Sequence, residues 1–103
     1  MIVIYLPGAM RDLRGIARWY RSERPEGEER FFERLRTTMR HVERDPGSFP
    51  IAVEEVGVHK ARVLRSPYSI AFLVRRNELR IVAVIHGARR PGFWTGRLRE
   101  EPK

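Results

Sequence analysis

The run Leu79-Arg80-Ile81-Val82-Ala83-Val84-Ile85 limits this chain more than any other stretch. A strand covered on one side alternates apolar with polar residues, but this one is apolar at every position except Arg80. It reads as a central strand covered on both sides. The rest of the chain must supply its neighbours and its cover.

Those partners can be read off by period. Ile2–Leu6 is β-branched and aromatic, and Pro7-Gly8 closes it as a first strand. Leu13, Ile16, Ala17 and Tyr20 fall at i, i+3, i+4, i+7, one face of a helix of roughly three to four turns. Ser22–Gly27 is a polar break, and Pro25 suits the first position of a second helix. Glu26, Glu28 and Glu29 in its first turns complement the helix dipole. Phe32, Leu35, Met39 and Val42 make its stripe, with Phe31 and Thr38 beside it, and Asp45-Pro46-Gly47 ends it. A short link between two amphipathic helices predicts an antiparallel hairpin.

Beyond a Pro/Gly linker, Val56–Leu64 is a strand with Lys60 and Arg62 on one face and Ala61 and Val63 on the other. Ser66-Pro67 interrupts, and Ser69–Val74 follows with Ile70, Phe72 and Val74 on one face. Arg75–Glu78, with Asn77, is a tight turn into the central run. The order β-α-α-β-β-β predicts an α+β domain: a small antiparallel sheet with an N-terminal strand and a helical hairpin packed on it. The domain is expected to span residues 1–95, with 96–103 a charged, flexible tail.

Charge is divided unevenly. Residues 1–57 hold ten Lys/Arg and ten Asp/Glu, whereas residues 58–103 hold eleven against three, so the whole formal +8 lies in the back half. A β region of one sign suits a polyanion or an acidic protein better than a neutral metabolite. The chain has no Cys, hence no disulfide frame and no thiolate chemistry. Its three His are dispersed, and Gly-rich phosphate loops, Ser-His-Asp spacings and metal motifs are missing, so neither a metal nor another cofactor is expected. Met1–Pro7 is too short and lacks the basic stretch of a signal peptide, and no run approaches a membrane span. A cytoplasmic protein is expected.

Two motifs carry a resemblance. Arg65-Ser66-Pro67-Tyr68-Ser69-Ile70-Ala71-Phe72 is similar to the "basic, x, Pro-Tyr, x, aliphatic, x, aromatic" strand of ParE-like toxins. Ile81–Pro91, ending His86-Gly87-Ala88-Arg89-Arg90-Pro91, resembles the last strand and "His-Gly-Arg-Arg-Asp-Pro" tail of the same branch. With the element order, nearly the whole chain resembles the RelE/ParE superfamily of type II toxin–antitoxin systems.

The resemblance implies two mechanisms. RelE-like members cut messenger RNA in the ribosomal A site, where a 2′-oxygen attacks the adjacent phosphate with help from a base and clustered cations. ParE-like members poison DNA gyrase and are not enzymes. Alignment on the Pro-Tyr motif puts Lys60 and Arg62 on two basic positions of the RelE pattern and Arg89 on its post-glycine arginine. The arginine after the motif tyrosine is Ser69 here, and the C-terminal catalytic tyrosine is Thr95, beside Trp94. Those losses favour the ParE-like branch and a non-enzymatic growth inhibitor. A nuclease would rely on Lys60, Arg62 and Arg89, with Tyr68 and His86 as lesser candidates. A plain nucleic-acid-binding module is the third reading, resting on the basic half alone.

Contact residues expected for a target or antitoxin are Lys60, Arg62, Arg65, Arg89, Arg90 and Trp94. The plainer reading of Lys60 and Arg62 is a solvated strand face, and that of Phe93-Trp94 is packing. Trp19 lies off the first helix stripe and suits a protein interface. Arg11, Arg14, Arg18 and Arg21 read as a solvated helix face. The resemblance implies a cognate antitoxin as partner, with DNA gyrase, or alternatively the ribosome and mRNA, as target. An apolar groove with a basic rim is expected near the hairpin, and neither a membrane nor a small-molecule substrate is.

Overall fold

The computed structural model describes residues 1–88 and 94–100, the last two of these by backbone alone. Strand β1 (Ile2–Tyr5) leads into helix α1 (Pro7–Glu23), and a 3-10 turn at Pro25–Gly27 runs into α2 (Glu28–Arg44). Strands β2 (Ile51–Val53), β3 (Val58–Arg62), β4 (Tyr68–Arg75) and β5 (Glu78–His86) follow, then a 3-10 segment at Thr95–Glu100. The five strands form one sheet in the order β1-β5-β4-β3-β2. The α+β architecture and the chain order of strand, helical hairpin and strands match the expectation. Two details differ from it: the sheet is mixed rather than wholly antiparallel, and it has a fifth strand. β1 pairs parallel with β5, while β2 to β5 pair antiparallel in sequence. The brief strand β2 carries exposed Ile51 and Ala52, so no buried alternation marks it.

Local chemistry explains the joints. Pro7 sits in the first turn of α1, where its missing N–H is not needed. Glu28 and Glu29 open α2, and His41 and Arg44 close it, each suited to the adjacent helix pole. The β4–β5 hairpin turns through Arg76 and Asn77, both at positive φ (53° and 62°), as a two-residue type I′ loop requires.

α1 lies over β5 and α2 over β3. On this face Ile16, Phe31, Leu35, Met39 and Val42 meet Ile70, Phe72, Leu79 and Ile81. The buried stripe of α2 starts from Phe31 (2% exposed), not Phe32, because positions 31, 35, 38, 39 and 42 share the sheet-facing side; Phe32 is half-buried at its edge. Val74, placed by period on this face, is 42% exposed next to the hairpin turn.

The other face is also closed, as the apolar run demanded. Val58, Ala71, Leu73, Val82, Ala83 and Ile85 pack under Trp94, with Leu6, Val53 and Leu98 at the margin. Trp94, expected at a contact surface, is only 5% exposed: its indole fills the second core, which leaves little area for a partner. Of the residues assigned to a tail, Arg97 and Leu98 pack onto the domain, and 101–103 lie outside the described residues. Arg97 forks onto Asp12 of α1 (2.7 and 3.0 Å) and donates to the Val82 carbonyl (3.2 Å), while Asp12 Oδ2 accepts from the Val84 amide (2.9 Å). β1 has ended by then, so this pair satisfies the bare edge of β5. Gly8 gives the Arg97 stem its room, since a Cβ there would lie 2.7 Å from Arg97 Cδ. Among the described residues, no helix is long and apolar enough to cross a membrane.

Candidate functional site

A bulge sets the site. Ala71 pairs with Ala83 but Phe72 pairs with Ile81, so Val82 is an extra residue in β5. Before it, Leu79 and Ile81 face the helices; after it, Val84 does. Strict alternation would have turned His86 to the opposite side. The bulge brings it onto the helix face, directly across from Tyr68, with ring centroids 5.0 Å apart.

From there a chain of rings runs to the surface of α1. Tyr68 meets Phe31 edge-on at 5.3 Å, Phe31 stacks on Tyr20 at 5.6 Å, and Tyr20 meets Trp19 at 5.1 Å. Trp19 is 48% exposed, as its place off the stripe implied. Tyr20 leans against the turn before α2 because residue 27 is Gly; a Cβ there would lie 2.9 Å from Tyr20 Cε1. Trp19, Tyr20, Tyr68 and His86 line a pocket of about 320 Å³ together with Arg24 and Pro67. Burial, with a smaller contribution from Tyr20, raises the Tyr68 pKa above the usual 10.0, so its phenol is neutral at ordinary pH. The Ala88 amide donates to His86 Nδ1 (2.9 Å), which leaves the ring proton of the neutral tautomer on Nε2.

The loop Arg65-Ser66-Pro67 is held by its carbonyls. Arg34 donates to that of Arg65 (3.1 Å), Arg62 Nε to that of Ser66 (3.0 Å), and the Gly87 amide to that of Pro67 (2.8 Å). Ser66 Oγ accepts from the Tyr68 amide (2.9 Å), and Arg65 takes a positive φ of 52°. A second cleft of about 170 Å³ opens there, lined by Arg24, Arg30, Arg34 and Arg65, with Glu26 on its rim.

Of the residues a nuclease would use, Lys60 and Arg62 share one face of the sheet and the lesser candidates Tyr68 and His86 the other. Lys60 pairs with Ala71 and Arg62 with Ser69, positions on the face away from the helices, whereas Tyr68 and His86 share the helix face. Lys60 and Arg62 are exposed. Arg89 and Arg90 lie outside the described residues. Sequence reasoning passed over Asp12, Arg24, Arg30 and Arg34. The available signal for Asp12 was its place as the lone acid among Arg11, Arg14 and Arg18. Among the described residues, no three of His, Cys, Asp and Glu gather as metal ligands would.

A separate groove of about 410 Å³ lies along the hairpin. Tyr5, Leu13, Phe32, Leu35 and Met39 form its apolar floor, with Arg36, Arg40 and Glu43 at the rim.

The helical hairpin lies on this sheet with Pro-Tyr opening β4 and His-Gly closing β5, the arrangement in which the sequence resembles RelE/ParE toxins. Residues 3–91 match the family described as the ParE toxin of the type II toxin–antitoxin system parDE, and the chain belongs to that family. Among solved structures it is similar in fold to a chain from the "Chromosomal ParDE TA system from P. aeruginosa", at 21% identity and a TM-score of 0.61, over 84% of this chain and 95% of that one. No curated protein matches the chain.

Proposed function

We propose that this toxin inhibits growth by acting on DNA gyrase through protein contact, without cutting RNA, and that a cognate antitoxin neutralises it in the cytoplasm. The observation that carries the non-nuclease part is the division of Lys60 and Arg62 from Tyr68 and His86 by the sheet. Cleavage by 2′-oxygen attack needs a base and cations around one phosphate. Side chains on opposite faces of a sheet do not surround one phosphate. The choice of gyrase rests on membership of the ParE family.

The antitoxin reading is supported by the groove along α1 and α2, whose floor suits the apolar stripe of a partner segment that folds on binding. Arg36 and Arg40 favour acidic flanks on that segment. The deciding measurement pairs gyrase supercoiling of plasmid DNA with message cleavage on programmed ribosomes. Blocked supercoiling with accumulating cleaved plasmid and intact message is the expected result; cut message with untouched gyrase would reverse the reading.

A further inference from the structure

We propose that the aromatic pocket and the arginine cleft beside it form one binding site for a single-stranded nucleic acid, the pocket taking a base and the cleft its phosphate. The two cavities meet at Tyr20, Arg24 and Pro67. None of Arg24, Arg30, Arg34 and Arg65 forms an ion pair with a described residue. Among the described residues, the one hydrogen bond donated by a side chain of this group, from Arg34 to the Arg65 carbonyl, leaves its charge uncancelled. Four like charges around one small cleft, against the single Glu26, create a strong local potential for an anion, and guanidinium groups suit phosphate oxygens.

The pocket specifies what the anion is attached to. Trp19 offers an exposed ring for stacking. The hydroxyls of Tyr20 and Tyr68 have no partner among the described residues, and the Nε2 proton of His86 is likewise unclaimed. A Phe or Leu side chain from a protein would cover these polar groups with hydrocarbon and leave them unsatisfied. A nucleobase is flat and carries acceptors and donors at its edge. Arg11 lines the adjoining cavity with Trp19, Tyr68 and His86, and Arg14 and Arg18 continue the exposed positive face of α1. That path extends past one phosphate, which favours a strand over a free nucleotide.

The test uses the full chain alone and does not depend on gyrase. Anisotropy of a labelled decathymidylate strand should report saturable binding. Arg24→Glu with Arg30→Glu should weaken it about thirtyfold or more, and Trp19→Ala about tenfold. Arg44→Glu with Arg76→Glu makes the same change in net charge far from the cleft and should weaken it less than about fivefold. Circular dichroism establishes that each variant is folded. Equal losses from the two charge reversals, or no saturable binding by the unaltered chain, would reduce the cleft to diffuse charge and overturn the proposal. Displacement by decaglutamate at lower concentration than by unlabelled strand would overturn it in favour of an acidic peptide. Thymidine monophosphate competing as well as the strand would overturn the strand assignment.

Discussion

The two faces of the sheet are closed by different means. On one, α1 and α2 each lay a periodic apolar stripe over Ile70, Phe72 and Ile81. On the other, cover comes from Trp94 and Leu98 on a short 3-10 segment and the residue before it, helped by Leu6 and Val53. A helix holds its own backbone bonds and needs only apolar area to dock. The segment after β5 has only a short 3-10 stretch as its frame, and here the Arg97–Asp12 fork ties it to α1 and to the edge of β5. The difference teaches that an all-apolar strand can be satisfied by one large indole and a polar clasp as well as by a second layer of helices.

The contrast can be broken by substitution and urea denaturation. Phe72→Ala on the helix side should cost the most, about 4 kcal/mol, because Phe72 is fully buried between Phe49 and His59. Trp94→Ala should follow at about 3 kcal/mol. A loss below about 1 kcal/mol would mean that the second face is not a true core. Asp12→Asn should cost about 1–2 kcal/mol: it removes the charge partner of Arg97, but both side chains keep some solvent, at 15% and 22% exposure.

The smallest effect concerns pH. Burial holds the folded-state pKa of Tyr68 above 10.0, with Tyr20 adding to it, and that of Tyr5 likewise, with Glu43 adding to it. The neutral phenol is therefore favoured by folding. That stability is fully present below the unfolded value and is lost as pH rises through the folded one. Unfolding free energy should decline above about pH 10, and Tyr68→Phe should make the decline shallower. An unchanged slope would show that the helix-face pocket does not desolvate Tyr68.

Much of the helix face was legible because its signals are periodic. Leu13, Ile16 and Tyr20 marked α1, and the apolar residues from Phe31 to Val42 marked α2 with an error of one position at its start. The Arg76-Asn77 turn was legible from Asn77. The bulge at Val82 was not, because a period of two leaves no trace in a run apolar on both faces. With it went the orientation of His86, and so the pairing of Tyr68 and His86. Arg97 was hidden for another reason. It stands among charged residues, and its partner Asp12 is 85 positions away.

The parallel pairing of β1 with β5 also fixes when the molecule can form during synthesis. Residues 2–5 emerge long before their partners, residues 78–81. Until those are made, the N-terminal strand has no edge to join, α1 has no central strand to lie over, and closing the long loop between them carries its full entropic cost. The growing polypeptide therefore cannot close its sheet, or seat α1 on it, until residues 78–81 have been made.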